Sequence, residues 1–399
     1  MFNPDAFRAQ FPYFKQKDAT IYLDNAATTL KSQALIDATV AFYQSAGSVH
    51  RSQYDEENTF QYEQARELVR EFIQAESVDS VIWTSGTTQA INTVANGLIP
   101  HIQKGDEIII SQADHHANFV TWHAVAQKCG AIVRVLPILD NWLIDQQALQ
   151  QALNARTKVV ALNFVSNVTG TVQPVAEFIR LIRQHSQAFV LVDAAQAVSH
   201  YKLNLAELDA DFIAFSAHKI YGPNGLGVLS GKRASLGLLQ PLIYGGKMVE
   251  SVSATQISYS ELPYRLEAGT PNIAGVIGFN AVLNWLSQWD FCAAEAHAVQ
   301  LAEQAKKALN AIPNCQLFVA PQPSSVVSFV CQGVHTSDLA TLLAEQHIAL
   351  RSGVHCAQPY LARLGQASTL RLSFAPYNIQ TDLNEFLFAL EKSLSLLSE

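Results

Sequence analysis

From residue 80 onward the chain alternates short apolar runs with helical patterns, and that alternation constrains its architecture more than any other feature. Seven runs read as strands, at 80–84, 107–111, 131–136, 158–165, 188–193, 211–216 and 225–230. Most are apolar and β-branched with little polar alternation, as expected of strands covered on both faces. Helical patterns at 88–98, 118–128 and 175–185 separate several of them. This is the grammar of a βαβ sheet, so the expected class is α/β, with a mostly parallel seven-stranded sheet in a large domain. After about residue 260 the rhythm changes. Helices are expected at 272–289, 293–309, 337–346 and 381–397, and short strands at 326–331, 349–352 and 369–374, which together read as a smaller α+β domain. The polar stretch TQISYSELPYR marks the boundary, near 255–268. The division drawn is an opening segment 1–20 packing on the small domain, a large domain 21–262 and a small domain 263–399.

Composition narrows the function. Lys plus Arg number 26 against 34 Asp plus Glu, a net charge of −8, which argues against a nucleic-acid binder and a polybasic membrane anchor. Apolar residues make up 49% of the chain and charged residues 15%, which favours a large buried volume and a subunit interface. The five cysteines form no CxxC pair and no Cys/His zinc spacing, so no metal is expected and the thiols read as those of a reducing compartment. No secretory leader and no apolar run of membrane-spanning length is found, and a soluble, cytoplasmic protein is expected.

Four local features carry chemistry. Ser85-Gly86-Thr87-Thr88 follows a strand and opens a helix; it is either a helix cap or an anion seat. Asp193 ends the run Phe189-Val190-Leu191-Val192, where a carboxylate needs a partner: a capped helix start, a metal or a cationic ligand. Lys219, in Ser216-Ala217-His218-Lys219 before Tyr221-Gly222-Pro223-Asn224-Gly225, is either a solvated loop lysine or an amine set to react with a carbonyl group. Taken together, a strand-end Asp, a later strand-end Lys and an upstream phosphate cradle make a constellation suited to pyridoxal phosphate. Finally, Cys356 lies in Arg351-Ser352-Gly353-Val354-His355-Cys356-Ala357-Gln358-Pro359, with Arg371 one strand later. Cysteine there is not core by pattern, whereas Cys129, Cys292, Cys315 and Cys331 read as inert thiols in helices or strands. Arg371 is either a surface arginine or a fork for an amino-acid carboxylate.

With these residues stand the motifs YLDNAATT, VHRS, TSGTTQAIN, DHHANFV, VSNVTG, VDAAQAV, SAHKIYGPNGLGVL, LEAGTPN, RSGVHCAQP and RLSFAPYN. Across nearly its whole length the chain resembles the cysteine desulfurases, pyridoxal phosphate enzymes of aminotransferase fold type I. Within them it looks most like the second group, of SufS and CsdA type, and its opening FNPDAFRAQFP is most like the cysteine sulfinate desulfinases of that group. The resemblance implies that Lys219 carries the cofactor, Asp193 holds its pyridinium nitrogen and Gln196 its phenolic oxygen. By the same resemblance His115 stacks on the ring and relays a proton, and Thr87, Thr88, Ser216 and His218 hold the phosphate. Thr270 is implied to reach the phosphate of a neighbouring subunit, which requires a homodimer. Asn167 and Arg371 would bind the substrate carboxylate, Cys356 would take the sulfur, and Arg351 and His50 would line the pocket. The implied reaction turns L-cysteine into L-alanine, with a persulfide on Cys356 passed to a small SufE-like acceptor protein for iron–sulfur or other sulfur-cofactor assembly. Cysteine sulfinate and selenocysteine are further implied substrates.

Three departures from the family pattern stand out. Ala194 and Ala217 replace glycines that are common there, and Asp114 replaces a common glutamate. Asn167-Val168-Thr169 also matches a glycosylation sequon, an accident in a chain of this kind. Two alternatives remain on sequence grounds: another fold type I enzyme (aminotransferase, kynureninase-like hydrolase or epimerase), and a non-catalytic sulfur-transfer scaffold.

Overall fold

A computed structural model describes residues 2–45 and 47–397. Met1 and Ser398–Glu399, the outer ends of the segments 1–20 and 263–399, lie outside the described residues, as does Ala46. The strands in chain order begin with β1 (Ile21–Tyr22), β2 (Val81–Thr84), β3 (Glu107–Ser111), β4 (Ile132–Leu136) and β5 (Thr157–Asn163). Next come β6 (Phe189–Asp193), β7 (Phe212–Ser216) and β8 (Gly227–Gly231). All seven runs expected from the sequence are strands of one seven-stranded sheet, ordered β2-β8-β7-β6-β5-β3-β4. Within it β8 runs antiparallel to β2 and β7, and the other pairs are parallel.

The lack of polar alternation has a direct cause. Successive residues of one strand enter different cores: Val190 and Val192 face one apolar cluster while Leu191 faces the other. The same holds for Ile109 against Ile108 and Ile110. β4 is the exception, because it is an edge strand; Arg134 there reaches Glu107 of β3 at 2.8 Å.

The remaining strands are β9 (Val249–Val252), β10 (Ile257–Tyr259), β11 (Cys315–Phe318), β12 (Val326–Cys331), β13 (Ile348–Ala349), β14 (Arg351–Gly353) and β15 (Thr369–Ser373). A four-stranded antiparallel sheet, β11-β12-β15-β14, forms the smaller body with helices Phe291–Asn310, Thr336–Glu345 and Gln380–Leu397. The single strand expected at 349–352 is split, since β13 pairs with β1 while β14 pairs with β15.

Two features of the expected domain division differ. The polar stretch 255–268 is no linker: β10 pairs with β9, and Glu267 is buried in a two-pronged ion pair with Arg66 of helix Glu56–Ile73, at 2.7 and 3.2 Å. Helix Ile273–Leu286, drawn with the small domain, belongs to the core of the large body. Twelve of its 14 residues are buried, and it packs on helices Gln33–Tyr43 and Glu56–Ile73. A helix apolar all round must be covered all round, which the small domain could not do. The opening segment touches both bodies. Phe7 and Phe11 enter the large core beside Tyr221 and Trp285, while Arg8 forks onto Asp382 of the C-terminal helix at 2.8 and 3.1 Å. Among the described residues no helix is long and apolar enough to cross a membrane.

Candidate active site

Parallel strands aim their carboxyl ends at one edge of the sheet, where open α/β folds bind ligands. Here β3, β5, β6 and β7 end on Ser111, Asn163, Asp193 and Ser216. A cavity of about 210 Å³ opens over these ends, closed by β14, β15 and the Cys356 loop. Twelve of the fourteen site residues expected from the sequence line it: Thr87, Thr88, His115, Asn167, Asp193, Gln196, Ser216, His218, Lys219, Arg351, Cys356 and Arg371.

The other two do not. His50 pairs with Glu63 at 3.0 Å and packs edge-on to Tyr62 and Tyr264. Thr270 lines a separate cavity with Ser85, Gln89 and Glu267. Within one subunit, therefore, neither reaches the cavity of Lys219.

The anion seat is built from close approach. Helix Thr87–Gly97 starts directly after Gly86, and its first-turn N–H groups have no intrahelical partners. Thr87 donates its N–H to the Ser216 hydroxyl at 2.8 Å, and the two hydroxyls meet at 2.7 Å. β8 passes so near that a Cβ on Gly227 would sit 2.4 Å from Gly86 Cα, so only glycine fits. Burial and the neighbouring Lys219 hold the His218 pKa down to about 4. His218 is therefore neutral at pH 7, and positive potential for an anion comes from the helix terminus.

Lys219 sits on the turn Ala217–Lys219 after β7. Its preceding carbonyl, that of His218, accepts from Thr29 N–H at 3.0 Å, Thr28 Oγ1 at 3.2 Å, Thr29 Oγ1 at 3.0 Å and Lys31 Nζ at 3.3 Å. The YLDNAATT motif thus clamps the peptide that carries the lysine. Burial, and next Arg371, push the Lys219 pKa down to about 8, against the pull of Asp193 and Asp24. Burial raises the Asp193 carboxyl, while the Ala195 N–H bond at 2.9 Å and Lys219 oppose the rise. These two buried groups hold each other closer to their charged forms than burial alone would.

His115 is the N-cap of helix His116–Cys129. Its Nδ1 accepts the Ala117 N–H at 3.1 Å, so the proton of the neutral ring lies on Nε2. Burial, Lys219 and His116 lower its pKa to about 4. Asp114 braces this turn from beneath: it accepts Ser111 N–H at 2.7 Å and Asn118 Nδ2 at 3.2 Å. Burial lifts the Asp114 pKa to about 7.

Around Cys356 the backbone is unusual. His355 and Cys356 have φ of 51° and 53°, left-handed values costly for residues with a Cβ. The loop is pinned by His116, whose N–H donates to Cys356 O at 2.8 Å and whose Nε2 accepts Gln358 N–H at 3.2 Å. Asn167 Nδ2 donates to His355 O at 2.7 Å. Buried Arg371 gives one nitrogen to Asp24 at 2.8 Å and another to Asn167 O at 2.9 Å, leaving its buried Nε without a partner.

The sequence reading missed Asp24, Thr28, Thr29, Lys31, His116 and Asn163. Asn163 is the most telling, because it is 4% exposed, lines the cavity beside Asp193, and both its amide atoms lack a partner. A buried unpaired amide is costly unless something fills the site. A pyridoxal phosphate group fits this donor set: an anion seat at one end, a carboxylate and an unpaired amide along the floor, and a reactive amine beside them. Gln196 spends one amide proton on Ala26 O at 2.7 Å and keeps the other. Among the described residues no group of three or more His, Cys, Asp or Glu side chains could hold a metal ion.

Comparison with known proteins agrees with this geometry. Residues 21–386 match the aminotransferase class-V family. The chain is 68% identical over 396 residues to a probable cysteine desulfurase of Pasteurella multocida, covering 99% of this chain and 94% of that one. It is 47% identical over 402 residues to the cysteine desulfurase CsdA of Escherichia coli, covering 100% of this chain and 99% of that one. A crystal structure of the Escherichia coli CsdA, in an S-sulfonic acid form, superposes with a TM-score of 0.94 at 46% identity over 99% of both chains. This chain belongs to the aminotransferase class-V family and, within it, to the cysteine desulfurases.

Proposed function

We propose that the protein converts L-cysteine to L-alanine with pyridoxal phosphate as cofactor and transfers the sulfur to Cys356 as a persulfide. The observation that carries this reading is the meeting of Lys219, Asp193, His115 and Cys356 around one cavity, with the thiol brought in by the smaller body. Thr87, Thr88, Ser216 and His218 would hold the phosphate, Lys219 would bond the cofactor, Asp193 and Gln196 would fix its ring, and His115 would cover it. Bound there, the cofactor supplies an electron sink for the substrate Cα.

Protein groups do the rest. Arg371 and Asn167 take the substrate carboxylate, with Arg351 at the rim. Lys219, whose pKa burial and Arg371 bring down to about 8, removes the Cα proton. His115 presents its Nε2 proton to the reacting group. The Cys356 thiolate attacks the substrate sulfur; the new S–S bond forms as the substrate Cβ–S bond breaks, and Cβ is protonated to the methyl group of alanine.

A homodimer completes the reading. Thr270 and His50 lie outside the cavity of their own subunit, which supports their acting in that of a partner. Exposed apolar residues supply a surface for it: Val40 and Tyr43 on helix Gln33–Tyr43, Phe60 on the next helix, and Val252 and Ile257 on the hairpin. The persulfide passes to a small SufE-like acceptor protein, in the cytoplasm, for iron–sulfur or other sulfur-cofactor assembly. Incubation with L-cysteine should yield alanine and sulfide in equal amounts in the presence of a reductant. Borohydride reduction of the holoenzyme should tag Lys219 in peptide mapping; a tag on another lysine refutes the assignment.

A further inference from the structure

Outside the active site, two thiols are placed opposite each other. Cys315 opens the edge strand β11 and Cys331 closes β12, and the ladder register pairs them directly. Gln332 N–H donates to Asn314 O at 2.8 Å, one residue beyond each cysteine, so Cys315 and Cys331 form a non-hydrogen-bonded pair. That is the position where antiparallel strands approach most closely, with Cα atoms roughly 4.5 Å apart. A disulfide spans Cα separations of roughly 4.4–6.8 Å, so this pair sits at the short end of the usable window. Cys331 is buried at 5% exposure, whereas Cys315 is half-buried and reachable from solvent. The other thiols have no such opposite, since Cys129 and Cys292 lie in helices and Cys356 in its loop.

We propose that Cys315 and Cys331 form a redox-active dithiol, oxidised by a low-molecular-weight disulfide such as cystine or glutathione disulfide to a cross-strand bridge, and reduced again by thiols. Cys315 attacks first as thiolate: its sulfur bonds to one sulfur of the small disulfide, and the other departs as a thiol. Cys331 then attacks the Cys315 sulfur, forming the intramolecular S–S bond and expelling the second thiol. The pair loses two protons and two electrons, and the small disulfide takes both up to become two thiols. The register leaves the pair within the separations a disulfide spans, so closure asks little of the backbone. The oxidised form staples β11 to β12, the neighbour of the strand that carries Arg371. The inference rests on strand register and not on the assigned reaction, so each stands or falls alone.

The test is equilibration of the full-length holoenzyme in glutathione/glutathione disulfide buffers, followed by acid quench, alkylation and non-reducing peptide mapping. The expected result is a reversible link between the peptides of Cys315 and Cys331, formed before any other cysteine pair. In Cys331→Ser, Cys315 should stall as a mixed disulfide one glutathione heavier. In Cys315→Ser, Cys331 should stay unmodified, because it is buried. Free alkylation of both cysteines in the most oxidising buffer would overturn the proposal. So would a link from either to a third cysteine, or absence of the stalled adduct in folded Cys331→Ser.

Discussion

Replacing Asp193 by Asn should lower the pH at which Lys219 becomes reactive, and replacing Arg371 by Met should raise it. Asp193 favours the charged amine and Arg371 disfavours it, and burial sets the baseline on which both act. With a pKa of about 8 in place of 10.5, the neutral amine at pH 7 is roughly 300 times more abundant than for an ordinary lysine. The rate of cofactor loading onto the cofactor-free chain should therefore rise about tenfold per pH unit up to about 8 and then level off. The midpoint should move by on the order of one pH unit downward in Asp193→Asn and upward in Arg371→Met. Stopped-flow absorbance after mixing with pyridoxal phosphate, from pH 6 to 10, reads both. Parallel shifts in the two variants, or a loading rate flat with pH, would refute the electrostatic account. The same shift sets a stability trend. The folded pKa of Lys219 lies below its unfolded value, so the unfolded chain holds the extra proton between about pH 8 and 10.5. This residue's contribution to the stability of the cofactor-free chain must then rise with pH across that window.

Further outcomes follow from particular contacts. Glu267→Gln should destabilise the protein by about 1–3 kcal/mol in urea unfolding, because it leaves the buried Arg66 with only Glu63, at 3.2 Å, as a charged partner and weakens the bond from Trp83 N–H. Asn163→Ala should leave the cofactor-free chain as stable as before or more so, since two unpaired amide atoms are removed, yet weaken cofactor binding in equilibrium titration. Hybrid dimers of a Lys219→Ala subunit with a Thr270→Ala subunit should recover part of the activity lost by each homodimer. A fully active monomer by sedimentation would contradict that arrangement.

The sheet was legible because both its faces are covered over most of its width, so its strands other than the edge strand β4 stand out as mainly apolar runs. Lys219 and Asp193 were legible as a pair, because each ends or follows such a run, where a charge calls for a partner. The contacts that hold them were not. Asp24 reaches Arg371, and Arg66 reaches Glu267, across sequence separations of 347 and 201 residues, and no local pattern marks either pair. Asn163 looked like a strand residue, and only its unpaired amide reveals it. Helix Ile273–Leu286 did carry a signal, since its uniform apolarity called for a covered position in the large core. His50 and Thr270 were named by resemblance alone, and both lie outside the cavity of Lys219.

Cys356→Ala, assayed with three substrates, tests the central claim most directly. No cofactor contact is assigned to this thiol, so the variant should bind pyridoxal phosphate as the parent does. Its loop position makes a folding defect small, within about 0.5 kcal/mol. Sulfur release from L-cysteine should be lost, while activity on selenocysteine and cysteine sulfinate should survive far better, because those groups leave without thiolate attack. Cys129→Ala, in a helix away from the cavity, should retain activity on all three. Undiminished desulfuration of L-cysteine by Cys356→Ala would contradict the persulfide route and leave only the chemistry of Lys219 and its cofactor.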